Sequence, residues 1–183
     1  MSDEIRIETP RLLLRPPLIG DFEGWADLMG DERSARFIGG VQPRPVAWRG
    51  FLALAGAWRL QGFGMFSVIE RSSGRWIGRV GPWQPVGWPG TEVGWGLRVD
   101  AWGHGYAGEA AVAAIDWAFA HLGWDEVVHC IAPENRPSVR LAERLGSRLI
   151  GPGHLPAPLD GQRVDIWGQT REEWYSRPRG MER

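Results

Sequence analysis

Apolar positions along the chain switch between a period of two and a period near 3.6, and the switches mark out its elements. The stretch from Thr9 to Pro16 predicts a first strand carrying Leu12, Leu13 and Leu14, closed by Pro16 and Pro17. Behind Asp21, placed to cap a helix, Phe22, Trp25, Ala26 and Met29 recur at helical spacing. A second helix is predicted over residues 45 to 60, with Val46, Phe51, Leu52, Leu54 and Ala55 as its apolar positions. Two hairpin strands follow, 64–70 and 76–81, around a turn that closes on Gly74. Residues 82 to 90 are rich in Pro, Gly and Trp and predict an ordered loop or edge in place of a regular element. Strict alternation over residues 91 to 99 then sets Val93, Trp95, Leu97 and Val99 on one face and Glu92, Gly94, Gly96 and Arg98 on the other.

A glycine-containing turn leads from that strand into a helix over residues 108 to 121. Ala107, Ala111, Ala114 and Ala118 give it a small-residue stripe for close packing, Val112, Ile115 and Phe119 add bulk, and Gly123 is placed to end it. Residues 126 to 131 read as a buried strand. Asn135 and Gly146 are placed to cap the two ends of a short helix with Leu141 and Leu145 on one face. The last strands are predicted at 147–150 and 163–170, separated by a Pro/Gly-rich loop at 151–161, with residues 177 to 183 as a frayed tail. This order implies an α/β chain, a mixed central sheet with helices on both faces. With no repeat or linker, one domain is expected over residues 1–183, its core about 9–174.

With 21 basic and 22 acidic residues, no broad nucleic-acid or membrane electrostatics are expected. A single cysteine, Cys130, excludes an internal disulfide and leaves no thiolate cluster, and His104, His121, His129 and His154 do not make ligand spacing, so no metal is expected. His129 and Cys130 read instead as a satisfied core histidine and a buried thiol. No membrane-length apolar run and no leader-like start are present, so a cytoplasmic protein is expected. Twelve tryptophans are many for 183 residues. Trp83, Trp88 and Trp95, close in sequence, fit an apolar pocket as well as they fit a core.

Trp102, Gly103, His104, Gly105, Tyr106, Ala107 and Gly108 form the stretch with chemistry in it. Glycines ahead of a helix free its first N–H groups to bind an anion, because a side chain there would hold the anion off. A nucleotide-hydrolase loop would end in Gly-Lys-Ser/Thr, and a dinucleotide fingerprint would open a parallel-sheet domain; neither context is present. What residues 102–107 do resemble is the acyl-CoA loop of the GCN5-related N-acetyltransferases (GNAT), with Gly105 and Ala107 at its two small positions. Writing that loop as Trp102-Gly103-His104-Gly105-Tyr106-Ala107 is similar to the branch of ribosomal-protein alanine acetyltransferases (RimJ/RimL-like), as is the opening with Thr9, Arg11, Leu12, Leu14 and Arg15.

The resemblance implies the GNAT acyl-CoA N-acyltransferase fold and acetyl-CoA as cosubstrate. It also implies direct attack of a primary amine, on a protein N-terminus or a small molecule, at the thioester. The pyrophosphate would lie on main-chain N–H groups of residues 103–108, with His104 either reaching a phosphate or simply exposed. The pantetheine arm would enter beside Trp95 and Leu97, where a main-chain N–H from 93–97 would serve the oxyanion; Gly94 and Gly96 suit that approach or a bulge. Glu92, ten residues ahead of Trp102, is the base candidate, or else pairs with Arg98 or Arg79; Glu134 and Asp100 are weaker substitutes. Seven residues beyond Asn135, where the family often has an acidic tyrosine, stands Ala142. Ser138 is then the group to steady the thiolate, or only a helix-cap residue, and Asn135 could serve both cap and pantetheine. Ser147 stands where the family usually has Phe. Asp31, Glu32, Glu92 and Asp160 are too few to make an acidic groove for a basic protein acceptor. The missing tyrosine motivates an alternative, an acyl-CoA-binding sensor or scaffold, and family habit makes a homodimer an expectation.

Overall fold

Leu12, Leu14, Phe66, Val68, Ile77, Val80, Val93 and Leu97 are buried in one core with Ala110, Ala111, Ala114 and Ile115. Their sequence neighbours Met65, Ile69 and Trp76 join Trp25, Leu28, Met29, Phe51 and Leu54 in a second core. Strand alternation thus feeds two cores across one sheet, each covered by helices. In this computed structural model, which describes residues 5–177, the strands are β1 (Ile7–Glu8), β2 (Leu12–Arg15), β3 (Phe66–Glu70), β4 (Trp76–Trp83), β5 (Glu92–Leu97), β6 (Glu126–Ile131), β7 (Arg148–Gly153) and β8 (Val164–Thr170). The helices are α1 (Phe22–Gly30), α2 (Glu32–Ala35), α3 (Arg44–Leu60), α4 (Tyr106–His121), α5 (Arg136–Arg144) and α6 (Arg171–Ser176). The eight strands form one sheet in the order β1-β2-β3-β4-β5-β6-β8-β7. Every neighbouring pair is antiparallel except β5 with β6. The mixed α/β arrangement read from the sequence is the one observed, and no helix among the described residues is long and apolar enough to cross a membrane.

Several boundaries differ from the sequence pattern, each for a local reason. The first strand is a small hairpin: Thr9 Oγ1 and Leu12 bond each other across a turn, and β1 pairs back onto β2. Asp21 does not cap α1; its carboxylate turns inward to the Leu18 N–H, the Ser67 hydroxyl and both terminal nitrogens of Arg15. Asp31 caps α2 instead, accepting from Ser34 N. Strand β4 continues through Pro82 to Trp83, because β3 stops alongside at Val80 and leaves an open edge that tolerates a proline. Helix α4 begins at Tyr106, two residues earlier than its apolar pattern, because Gly105 takes the left-handed conformation (φ 78°) at its N-cap. Asn135 caps α5 as the pattern requires, and Gly146 (φ 89°) follows its end. Strand β7 extends to Gly153 and so takes in part of the expected loop, and α6 is opened by a reciprocal cap between Thr170 and Glu173. Of the expected tail only Arg177 is described; residues 178–183 and 1–4 lie outside the described residues.

The feature that positions the site is the parting of β5 from β6. These parallel strands, joined through α4, share a single register pair, Glu92 with Val128. One residue on, Val93 O no longer meets a main-chain donor of β6. It bonds instead to His129 Nδ1 at 2.7 Å, and His129 Nε2 meets the Ser147 hydroxyl at 3.0 Å. Gln169 Nε2 completes the chain, donating to Ser147 Oγ and Leu145 O. His129 is 1% exposed, and its imidazole wedges the strands apart while satisfying the carbonyl it uncovers. Ser147 is therefore the polar partner that this histidine needs.

Two stability measurements follow. Burial, only partly offset by the Val93 carbonyl, brings the His129 pKa down from 6.5 to about 4. Between those values the folded state binds fewer protons than the unfolded chain, so this contribution is complete above pH 6.5 and is lost as pH falls through 4. Urea titrations should show the wild type losing on the order of 3 kcal/mol more than His129→Gln between pH 7 and pH 4. Parallel pH profiles would refute this. The Asp21 carboxyl is held below its ordinary range: burial opposes ionisation, but bonds from Arg15, the Leu18 N–H and Ser67 outweigh it. Asp21→Ala strands the Arg15 guanidinium and should cost about 3–5 kcal/mol in the same titrations at neutral pH.

Candidate active site

The carbonyls of Val93 and Leu97 both turn toward the β6 side, where they accept from His129 Nδ1 and Trp102 Nε1. Main-chain direction repeats every second residue in a strand, so the N–H and C=O of Trp95 turn the same way, into the gap. The Trp95 indole reaches across that gap and donates to Ser138 Oγ at 3.0 Å, with its ring 4.8 Å from the His129 ring. Ser138 lies in the first turn of α5, its own N–H bonded to the Asn135 side chain, so it is a cap-turn residue whose hydroxyl also faces the opening.

Below the opening is a cavity of about 330 Å³. Trp25, Trp83, Trp88 and Trp95 line it, with Glu92, Asn135 and Ser138 at the side where the strands part. Glu92 is 6% exposed, so its strand's polar face points into this cavity and not to solvent. Its carboxylate accepts from the Cys130 N–H at 3.1 Å and from the Trp88 indole. Burial pushes its pKa above the ordinary carboxylate value, against the Cys130 and Trp88 bonds and the charge of Arg79. A carboxyl in that state can exchange a proton with a bound amine. Gly94 keeps the space beside it clear: a Cβ there would lie 2.8 Å from Met65 Cε and 3.3 Å from Glu92 Oε1.

The other acid and base candidates are placed elsewhere. Arg98 does not pair with Glu92; it bonds Asp27 and Asp100, and Asp100 also meets Arg75. Glu134 is exposed. Of Asp31, Glu32, Glu92 and Asp160, only Glu92 reaches the cavity. Ala142 is fully buried and off the cavity wall. Cys130 is half-buried, and burial together with Glu92 pushes its thiol far above the ordinary range, which disarms it as a nucleophile. No group of three metal-ligating side chains occurs among the described residues.

At the far end of the gap, α4 starts with no side-chain cap, so the N–H groups of Tyr106, Ala107 and Gly108 have no intrahelical acceptor. Gly103 (φ 80°) and Gly105 (φ 78°) bend the chain in front of them. This is a built anion cradle. His104 is exposed and stacks on Tyr106, while Trp102 is 43% exposed and closes over the end of β5. Arg11 was legible only as part of a strand, yet it holds this loop. Its guanidinium bonds His104 O at 2.7 Å and Glu109 at 2.6 Å, and it lies over the Tyr106 ring. Paired with Glu109, it braces the loop, a role that only the folding of β2 against α4 could reveal. Cradle, gap and cavity follow one another in the order of the parts of a long anionic cosubstrate: a phosphate end, an amide-bearing arm and a reactive tip. The open Trp95 main chain and the uncapped α4 amides fit those parts.

The sequence matches the acetyltransferase (GNAT) domain family over residues 11–148. It is 31% identical over 86 residues to the uncharacterized N-acetyltransferase YnaD of Bacillus subtilis (strain 168), which is 47% of this chain and 51% of that protein. It is 26% identical over 102 residues to the uncharacterized N-acetyltransferase p20 of Bacillus licheniformis, 56% of this chain and 49% of that protein. The chain spans about half the length of the curated relatives it matches. A solved acetyltransferase from Agrobacterium tumefaciens str. C58 is similar throughout, at 32% identity and a TM-score of 0.79, covering 91% of this chain and 95% of that one. The ribosomal-protein-S5-alanine acetyltransferase of Vibrio fischeri shares the fold at 18% identity and a TM-score of 0.73, covering 96% of this chain and 100% of that one. With its fold, its uncapped helix and its parted strands in agreement with the family match, this chain belongs to the GNAT acetyltransferases.

Proposed function

We propose that this protein transfers an acetyl group from acetyl-CoA to a small primary amine held in the tryptophan-lined cavity. The observation that carries the reading is Glu92: a buried carboxylate with a raised pKa, at the point where β5 leaves β6, facing a half-open aromatic pocket. When bound, acetyl-CoA supplies an activated acyl carbon on a thiolate leaving group. Residues 103–108 hold the pyrophosphate through the amides of Tyr106, Ala107 and Gly108, with Arg11 beside them. The Trp95 main chain pairs with the pantetheine arm, and its N–H is the donor for negative charge developing on the carbonyl oxygen. Glu92 takes the proton of the incoming ammonium, directly or through a water, so that a lone pair is free to attack. Ser138 Oγ already accepts the Trp95 indole N–H, which leaves its own proton to donate to the departing sulfur. With Ala142 where a tyrosine acid would stand, this hydroxyl steadies the thiolate by a hydrogen bond and water delivers the proton. The largely apolar lining, with Glu92 as its one acid among the described residues, favours a small amine over a basic protein tail. Within the family, the RimJ/RimL-like branch is our assignment from the residues around Thr9 and Trp102.

Two variants test the reading. Because the Glu92 pKa is raised, its basic form fills only as pH climbs past the ordinary carboxylate range, and kcat/KM should rise with it. Glu92→Gln should lower kcat/KM by about 10²–10⁴-fold and remove that limb, leaving only the titration of the amine. Calorimetric acetyl-CoA affinity should stay within about twofold, since Glu92 is remote from the cradle. An unchanged rate would reject Glu92 as the base. Gly105→Val forces a branched side chain into a left-handed conformation, within reach of Arg11, and should weaken acetyl-CoA binding roughly tenfold or more. Equal affinity in the variant would remove the cradle from the site.

A further inference from the structure

One charged group in the cavity takes no part in the chemistry above. Arg79, on β4, lines the same pocket as Glu92 and stands opposite Gly96 of β5. The bare Gly96 leaves room there: a Cβ at that position would lie 3.4 Å from Ile38 and 3.8 Å from Arg79 Nε. The guanidinium touches the Met65 sulfur and lies 5.6 Å from the Trp25 ring centre. Its Nε is buried without a hydrogen-bond partner. Among the described residues no carboxylate is within ion-pair distance of it. The arginines at the surface are treated differently; Arg75 and Arg98 share Asp100, and Arg71 meets Glu8. Glu92 is the one acid that Arg79 feels electrostatically, and its oxygens are occupied by Trp88 and Cys130.

A half-buried arginine whose Nε is shut off from water and which has no bonded counter-charge is an unfavourable placement. Burial lowers the Arg79 pKa to about 10, which still leaves it charged at neutral pH. The cavity therefore presents a carboxylate at one end and an unanswered cation at the other, with tryptophan faces between. Glu92 and Gly96, the residue opposite Arg79, are four residues apart on one strand, so the two ends are separated by about 13 Å between main-chain positions.

We propose that Arg79 is the specificity residue of the acceptor site, and that the acceptor is a small aromatic or apolar amine carrying an anionic group, in the simplest case a carboxylate, distant from its amine. The assignment rests on the cavity being the acceptor site. The amine meets Glu92, the anion meets the Arg79 guanidinium where it lines the cavity, and the apolar body fills the space between the tryptophans. Such a substrate supplies the counter-charge that the protein lacks.

The test uses two readouts. In the first, the amine acceptors 4-(2-aminoethyl)benzoate and phenethylamine are compared by free-CoA release. In the second, binding of 4-ethylbenzoate and 4-ethylbenzamide, which have no amine to acetylate, is measured by calorimetry. The wild type should prefer the benzoate member of each pair, and Arg79→Gln should cut both preferences by about 10- to 100-fold. Arg79→Lys should recover part of them. Melting temperature is a control that a purely structural arginine would fail: removing an unpaired buried charge should leave Arg79→Gln as stable as the wild type or more so. If phenethylamine is acetylated but neither benzoate is preferred, the proposal is overturned and the acetyltransferase reading stands. If 4-ethylbenzoate binds through Arg79 while no amine is consumed, the anion site stands and the acceptor reading of the cavity fails. A destabilised Arg79→Gln with unchanged preferences would also overturn the proposal, by making Arg79 structural.

Discussion

Most of this molecule is arranged around the separation of two parallel strands that would otherwise zip together. A parallel pair normally satisfies its main-chain groups along its whole length, and parting it leaves N–H and C=O groups that must find other partners or a ligand. The chain answers carbonyl by carbonyl. His129 takes Val93 O, Trp102 takes Leu97 O, and the main chain of Trp95 between them turns into the opening. The histidine is satisfied in its turn by Ser147, and Ser147 by Gln169, so the cost of opening the sheet is spread over a buried polar chain running from β5 to β8. That arrangement makes the gap a fixed feature of the fold and not a chance irregularity.

The same separation explains the electrostatics of the cavity. Glu92 is the last residue of β5 still in register with β6, and it lies where the sheet is intact behind it and open in front. It is consequently buried yet faces space, which is how a carboxylate gains a raised pKa while staying in reach of a substrate. The tryptophans around it exclude water and strengthen every charge they surround. Arg79, on the neighbouring strand, lies in that environment with no bonded counter-ion among the described residues, and its Nε has no hydrogen-bond partner. Trp167 Nε1, off the cavity wall, is also unpartnered, so what sets Arg79 apart is that the unpaired group is a charge lining the cavity.

The comparison with the sequence is instructive at particular residues. The glycine loop, Asn135 as a cap and the alternation of residues 92–97 were all legible, because each is a local requirement. Left-handed backbone asks for glycine, an exposed helix end asks for a short polar side chain, and a two-faced strand asks for period two. Asp21 was misread as a helix cap because the local pattern cannot show that Arg15 and Ser67 compete for its carboxylate, one across a turn and one on another strand. Pro82 was read as loop or edge and not as part of a regular strand, because the open edge along which β4 continues exists only once β3 has ended beside it.

What the sequence determined by itself, then, was the order and type of the main elements and the glycine loop ahead of α4, which depend on interactions within a few residues or on a repeated pattern. The candidacy of Glu92 and Ser138 came from the family resemblance of the residues around them. What only the tertiary structure decided was which polar residues meet: Glu92 with Trp88 and Cys130, Trp95 with Ser138, His129 with Val93 and Ser147, Arg11 with the loop at His104, and Arg79 with no carboxylate at all. For Arg79 the absence of a carboxylate holds among the described residues; the other pairings cross long stretches of chain, and their strength depends on burial. A sequence pattern reports which residues are apolar and how they repeat. It does not report how much water remains around a given charge, and in this protein that quantity separates a structural arginine or glutamate from one that can act on a substrate.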